Sequence, residues 1–591
     1  MYWEISNFKG LAKANIDLKP GSTTLITGVN SSGKSSLIQS LLMTAQSLYR
    51  TGPVVLNGSL TRLGKPSELV RADSPGKTMS LKIDLNTDFY DSEVESPEQA
   101  FAEIQLSSDQ NQSNLQVTRI ILTELYEDIR RRDILFDSAH IKKQTLIRLK
   151  SILPDLDDFT ALHLKQDSET DEKSKPAVYL VLQGLIAKNI VVLSNEKTIS
   201  SRYSRGFRDT FENDASQASH EASLALLDSR YTYVRETIDL LEQSFQEGTP
   251  DAKRLLSLMT EDSEIPHLLM DQLLRGSGEN IPEILKQTMA QRAKRPYVVL
   301  EFPSRFSRRK RGFSPTGIVE KYYTELLSTE YSLIDGMRGY LMELGKNLNY
   351  IGPLRDEPRV LWSHWNELSR GLPVGAKGEY SAAVLNRFAN RKVTYRQTLD
   401  SSVREEPLKD AINYWLNKLE ISDGATSKSQ GKLGVGIEVE IDGEGRDLTS
   451  VGVGVSQALP IIIGLLMAPR SGIFIVEQPE LHLHPNAQAL LADFLITSRP
   501  DVSVLVETHS EAMITRIRRR VAEESLSPDE VDIVFIESTI AGGVGRSLRV
   551  GSYGDLSEWP NDFLSATQDD IRAIMKSNSS RIRKSKSEKV K

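Results

Sequence analysis

Residues 28–36, GVNSSGKSS, decide how the rest of the chain is read. They fit the pattern G-x-x-x-x-G-K-[ST], with Gly28 at its head and Gly33, Lys34 and Ser35 at its close. The β-rich run TTLIT stands before them and SLIQSLLMTAQSL, with helical spacing, stands after. A strand, a glycine loop and a helix in that order give the string a structural meaning. Glycines let backbone amides turn inward onto phosphates, a lysine neutralises β- and γ-phosphate charge, and a hydroxyl ligates magnesium. The expected nucleotide set is therefore Gly28, Asn30, Ser31, Ser32, Gly33, Lys34, Ser35 and Ser36, with Ser35 on the metal. A chance Gly/Ser turn before a helix is the competing explanation, and the flanking pattern weighs against it.

The bulk properties are compatible with this reading. At 591 residues the chain holds several domain-sized cores. Its 39% apolar and 26% charged content is that of a soluble globular protein. A net charge of −7 gives no global attraction to nucleic acid, so any such contact must come from a local patch. The absence of cysteine excludes disulfides, thiolate zinc sites and a cysteine nucleophile. MYWEISNFKG has no basic start ahead of an apolar core, and the longest apolar stretch, 458–468, is interrupted by Pro460 and Gly464. Neither a signal peptide nor a membrane span is expected, and the expected location is cytoplasmic.

Strand-like runs fill the beginning of the chain: YWEISNF, TTLITG, MSLKIDL, FAEIQL and LQVTRIILTEL. From 124 to about 291 the spacing is helical, as in YVRETIDLLEQSF and DAKRLLSLM, broken by polar loops at 166–175 and 209–223. Strand character returns at YVVLEF, and GVGIEVEIDGEGRDLTSV predicts a hairpin turning at Asp442-Gly443. Strands and helices then alternate: helix 456–466, strand 473–476, helix 486–496, strand 503–507, helix 511–524, strand 531–536.

Within that alternation, GIFIVEQPELHLHP (472–485) carries the second half of the site. A buried strand would deliver Glu477 to its carboxyl end, where α/β sheets bind ligands, as a second magnesium ligand beside Ser35. His482 and His484, with Glu480 nearby, also allow a transition-metal site. A loop entering a helix with Pro485 at its start is the simpler reading. In VLVETHS (504–510), His509 at a strand end is placed to meet a γ-phosphate or a water, although a lone histidine there is more often only a satisfied hydrogen bonder.

The layout of these motifs resembles the split head of ABC-type ATPases, in the branch that includes SMC, RecF and OLD proteins. YIGPLRDEPR (350–359), SVGVGVSQALP (450–460), ETHSEAMITRIRRRVAE (507–523) and YGDLSEWPNDF (553–563) are similar to bacterial ATPases often found in phage-defence loci, with the ATPase subunit of Septu-type systems a relative by layout. The resemblance covers about 1–70 and 346–565. It implies an α/β fold: a split P-loop ATPase head, with a mixed sheet and an antiparallel β subdomain, plus a helical insertion. The expected parts are an N-terminal lobe (1–122), a mainly helical insertion (123–345), a C-terminal lobe (346–575) and a basic, disordered tail (576–591).

In such ATPases two heads sandwich two ATP molecules, each site completed by a signature helix of the other subunit. Here the matching segment is GVGVSQ, giving Gly452, Gly454, Ser456 and Gln457, although the wording departs from L-S-G-G-Q. A homodimer or higher oligomer of heads follows from the resemblance. So does a metal-holding Asp followed by a water-orienting Glu, positions filled here by Glu477 and the neutral Gln478. Glu480 and His509 are the remaining candidates for the water, and slow hydrolysis with a long-lived ATP state is expected. The leading function is a nucleotide-dependent switch in anti-phage defence, with a separate effector such as a nuclease or toxin. The alternatives are a RecF/SMC-type ATPase acting directly on DNA, an OLD-type nuclease, and a transporter subunit. The nuclease reading expects a metal-binding carboxylate domain after the head, and no D-x-D follows IVFIES (533–538) in this sequence, while the transporter is disfavoured by the insertion. Nucleic-acid contact would rest on RFSRRKRGF (Arg305, Arg308, Arg309, Arg311), on the tail, or on RIRRR (Arg516, Arg518, Arg519, Arg520), each of which also reads as a solvated face.

Overall fold

The computed structural model describes residues 1–48, 52–71, 73–85, 97–109, 113–126, 130–139, 141–156, 158–165, 177–193, 297–302, 327–362, 374–560 and 573–579. The chain falls into two compact units, one of Met1–Asp84, Glu103–Val117 and Tyr340–Lys591, the other of Leu85–Ala102 and Thr118–Gly339.

Neighbouring strands in the first unit follow the order β4 (Met79–Leu85), β1 (Tyr2–Phe8), β2 (Leu11–Asp17), β21 (Gly542–Leu548), β20 (Val531–Thr539), β3 (Thr23–Gly28), β19 (Ser503–Glu507), β18 (Ile473–Glu477) and β12 (Leu348–Ile351). From β20 to β12 every pairing is parallel. β1 is antiparallel to both β4 and β2, and β20 to β21. Every residue of β18 and β19 is buried, as expected for parallel strands covered on both faces. The chain is thus α/β, with a mixed sheet whose parallel part is assembled from both ends of the sequence.

Helices complete this unit. α1 (Lys34–Leu48) follows β3, and its Ser40 Oγ accepts the Trp3 indole N–H at 2.9 Å, tying the helix to β1. α4 (Ser381–Phe388), α5 (Leu408–Lys418), α6 (Val453–Leu466), α7 (Pro485–Thr497) and α8 (Glu511–Ala522) lie in the C-terminal part. Trp415 of α5, Ile461 and Ile462 of α6, Phe474 of β18 and Phe494 of α7 share one core, with the Trp415 and Phe494 rings edge to face at 4.9 Å. Each such buried side chain contributes about 1.5–3 kcal/mol. The run 458–468 is therefore mostly a core helix, and no described helix is long and apolar enough to cross a membrane.

The hairpin forms as its dipeptide requires. β16 (Val435–Ile441) and β17 (Glu444–Asp447) pair antiparallel around Asp442 (φ 53°) and Gly443 (φ 76°). β15 (Gly424–Ser429) adds a third strand, and β13 (Lys392–Tyr395) pairs separately with β14 (Arg404–Pro407).

Between 124 and 193, where it is described, the second unit corrects the helical expectation. β6 (Leu115–Leu125), β7 (Arg131–Asp137), β8 (Thr160–Lys165), β9 (Ala177–Gln183), β10 (Ile186–Leu193) and β11 (Tyr297–Glu301) form an antiparallel meander. Along the chain, β5 (Gln99–Ser108) and β6 run across the division between units, as does α3 (Ser328–Asn347). Among the described residues only α2 (Lys143–Ile152) interrupts the strands between β7 and β10, its Leu149 packed against Ala161, Val181 and Val191. Short apolar runs such as AVYLVLQ and IAKNIVVL have no decisive period, and their β-branched content with a turn at Gly184 (φ 62°) marks them as strands. The helical runs at 233–245 and 251–259, the loops at 166–175 and 209–223, and the basic run 305–313 lie outside the described residues. Residues 573–579 are helical, which corrects the expected disorder at 576–579. Ala573, Met575 and Lys576 are good helix formers. The rest of the tail lies outside the described residues.

Candidate functional site

The loop between β3 and α1 is held open by its glycines. Gly28 (φ 143°) and Gly33 (φ 107°) occupy backbone regions that side chains avoid. A Cβ on Gly28 would strike the Ile536 carbonyl of β20, and one on Gly33 would lie 2.7 Å from Leu11 Cδ2. Asn30 and Ser31 are exposed, Ser32 is buried, and Gly33 O accepts the amides of Ser36 and Leu37 at 3.0 and 3.2 Å as α1 begins. The first turn of a helix leaves amides without intrahelical partners, which favours an anion there. Lys34 is buried, and its Nζ donates to the carbonyls of Gly28 (3.1 Å) and Val29 (2.7 Å). Burial lowers its pKa, opposed by the charge of Glu507.

Strand order brings three carboxyl ends together. β19 lies between β3 and β18, with Glu507 in register with Ile26 on one side and Glu477 on the other. The Ser35 hydroxyl donates to both oxygens of Glu507 at 3.1 Å. Burial and the adjacent Glu507 carboxylate raise the pKa of Glu477 well above the usual range. Tyr350, at the end of β12, donates its O–H to Glu477 Oε1 at 2.6 Å. Arg355 Nη2 donates to the carbonyls of Glu477 (2.8 Å) and Gln478 (3.1 Å), and burial pushes this guanidinium down to about 10. Gln478 turns the chain out of the strand at φ 43°, its amide donating to Glu507 O at 2.7 Å.

Glu480 is buried, and its Oε1 accepts the backbone N–H of His509 at 2.7 Å. Burial raises its pKa, moderated by that amide and by Arg355. His509 itself is exposed, with a pKa lowered by partial burial and by the Lys34 charge. The Ser510 side chain caps α8 by accepting from the Met513 amide at 3.1 Å, and its hydroxyl donates to Gln488 Oε1 at 2.6 Å. His484 caps α7, its Nδ1 accepting from the Asn486 amide at 3.3 Å, with Pro485 in the first turn. His482 is exposed at φ 64°. Among the described residues no group of three or more His, Asp or Glu side chains forms a metal cage.

The segment expected to act as the signature, 452–457, opens α6. Gly452 is its N-cap, and Gly452 and Val453 are exposed. A Cβ on Gly454 would make ordinary contacts with Leu483 Cδ2 at 3.4 Å and His482 O at 3.6 Å, so its own head does not demand a glycine there. Ser456 and Gln457 are buried, and the Ser456 hydroxyl donates to Val453 O at 2.8 Å. The surface that α6 presents is its glycine end, while these two side chains are turned to the interior.

The basic cluster on α8 faces its own chain. Arg516 and Arg520 both bind Asp493 of α7, at 3.2 and 2.7 Å. Arg519 and Arg520 bind Glu523. Arg518 donates to Gly554 O at 2.7 Å and lies 4.9 Å over the Trp559 ring. Carboxylates, a carbonyl and an aromatic face of the same chain already engage these arginines, so their charge is partly offset within the fold. Arg305, Arg308, Arg309 and Arg311 lie outside the described residues.

Three residues gain a place that the motifs did not assign. Tyr350 and Arg355 lie in YIGPLRDEPR and Glu507 in VLVETHS; only Glu507, an acidic residue closing an apolar strand, carried a local signal. The donor set fits magnesium. Ser35 offers a hydroxyl and Glu477 and Glu507 offer carboxylates, all hard oxygens, and Mg²⁺ commonly takes one or two carboxylates plus substrate phosphates. A cation would also neutralise two buried acids, since the Lys34 ammonium is bonded to loop carbonyls.

The sequence matches the family described as AAA ATPase domain over residues 1–294 and 376–514. No curated protein matches it. Similar solved structures include an Smc head domain with an extended coiled coil, bound to the C-terminal domain of ScpA, from Pyrococcus furiosus. The identity is 12%, the TM-score 0.31, and the match covers 93% of this chain and 96% of that one. Another is an Smc head domain with a coiled coil and joint from Pyrococcus yayanosii, at 14% identity and TM-score 0.33, covering 93% and 97%.

Proposed function

We propose that this chain, which belongs to the AAA ATPase domain family, binds ATP with Mg²⁺ at the 28–36 loop, hydrolyses it slowly and acts as a two-headed switch. The observation that carries this is the convergence of the Lys34 ammonium, the Ser35 hydroxyl and the buried Glu477 at the carboxyl ends of β3, β19 and β18. Lys34 and the loop amides would cradle the phosphates, while Ser35 and Glu477 would hold the metal. Bound there, magnesium would offset negative charge on the β- and γ-phosphate oxygens.

Hydrolysis forms a bond from water oxygen to the γ-phosphorus, breaks its bond to the β–γ bridging oxygen, and requires the water to lose a proton. The residue after Glu477 is a neutral amide, Gln478, which cannot take that proton, so help worth typically ~10²–10⁴-fold is missing. Glu480 is held on the His509 backbone, and its role in this reading is to position His509 beside the γ-phosphate. A slow site suits a switch that stays closed while ATP is bound. Gly452 and Gly454 of one head would then meet the nucleotide of the other, which the exposure of the α6 glycine end supports. The resemblance of 350–359, 450–460, 507–523 and 553–563 to ATPases of phage-defence loci supports a cytoplasmic role in anti-phage defence with a separate effector.

Calorimetric titration with ATP and Mg²⁺ tests the site. Wild type binds, and Lys34→Ala, at unchanged thermal stability, does not. Equal affinity of the two overturns the assignment.

A further inference from the structure

Glu507 ends β19 with 2% of its surface exposed, on the strand next to the loop strand. A carboxylate so enclosed is normally paired or on a cation. Around it lie the Ser35 hydroxyl, 3.1 Å from each of its oxygens, and Glu477, its register partner on β18. Among the described residues neither acid is in an ion pair. Tyr350 takes one oxygen of Glu477, and the Arg355 guanidinium donates through Nη2 to the carbonyls of Glu477 and Gln478 and not to either carboxylate. Ser35 is thus the loop hydroxyl nearest to a carboxylate, and that carboxylate belongs to β19.

We infer that Glu507 is a second acidic residue of the metal site, so that the magnesium of the bound nucleotide is held by the Ser35 hydroxyl and two carboxylates. This rests on the nucleotide reading of the 28–36 loop and adds a residue to it. The chemistry follows from placement. Gln478 removes a carboxylate from the position after Glu477, and Glu507 supplies one on the adjoining strand, where it faces Ser35. A charge on the Ser35 side strengthens the hold on the cation without restoring a base for the water. The site is then built to keep Mg²⁺·ATP and to turn it over slowly.

Glu507→Gln tests this, because the amide oxygen still accepts the Ser35 O–H while the charge is lost. Fluorescent ATP-analogue binding is followed as Mg²⁺ is titrated, with a parallel measurement in EDTA. The variant should match wild type in EDTA and need about 10- to 100-fold more Mg²⁺ for half-maximal binding. Glu507→Asp, which keeps the charge but withdraws it, should fall between, and it serves if Glu507→Gln loses its thermal transition. A wild-type Mg²⁺ requirement in either variant overturns the inference while leaving the loop assignment standing. A wild-type chain that binds no nucleotide overturns both.

Discussion

The hydroxyl of Ser35 donates to both carboxylate oxygens of Glu507, joining residues 472 positions apart at 3.1 Å. Neither end of the chain holds the site alone. The loop comes from β3 and α1, the acids from β18 and β19, and Tyr350 and Arg355 from β12 and the segment after it. What joins them is strand order, since β19 lies between the loop strand and β18.

Glu480 and Arg355 hold the same turn from two sides, and their variants should part company. Glu480→Gln keeps an oxygen for the His509 amide, so ATP binding persists while turnover falls, because His509 is held less firmly. Arg355→Ala leaves the carbonyls of Glu477 and Gln478 without their donor and a cavity behind them. It should cost about 2–4 kcal/mol, seen as a lower midpoint in urea unfolding. A Glu480→Gln variant with wild-type turnover would remove Glu480 from the mechanism.

Much of this was readable along the chain, and what was not has specific causes. The loop at 28–36, the Asp442-Gly443 hairpin and Pro485 at a helix start are local, each set by a few contiguous residues. Glu507 is a different case. Its neighbour Ser35 is fixed by β19 lying beside β3, which no local pattern encodes. The strands between 131 and 193 escaped because runs buried on one face and packed on the other lose their alternation. Arg516–Arg520 looked basic because their counter-charge, Asp493, sits on the preceding helix.

That counter-charge is testable. Asp493→Asn leaves Arg516 and Arg520 half-buried without their shared carboxylate, and should destabilise the chain by about 1–2 kcal/mol. Exposure to solvent keeps the figure small. Thermal denaturation in low and high salt would read it, with the wild-type advantage shrinking as salt rises.

Head association should depend on nucleotide through the exposed start of α6. Gly454→Arg adds bulk and charge at a position where its own head leaves room beside Leu483. The variant should bind ATP normally and fail to associate, or to close, with a non-hydrolysable analogue. Light scattering reads a change in mass, and a fluorophore pair on the two heads reads closure within a pre-existing dimer. Wild-type behaviour of the variant in both assays would refute the shared site.

On the proposed mechanism ATP is held long and cleaved slowly because Gln478 stands where a carboxylate would accept the proton. Steady-state phosphate release by wild type and by Gln478→Glu, at saturating Mg²⁺·ATP, tests it most directly. Wild-type turnover should be low and Gln478→Glu should raise it, by up to ~10²–10⁴-fold if the new carboxylate reaches the water. Rapid hydrolysis by wild type, unchanged in Gln478→Glu, would contradict the account.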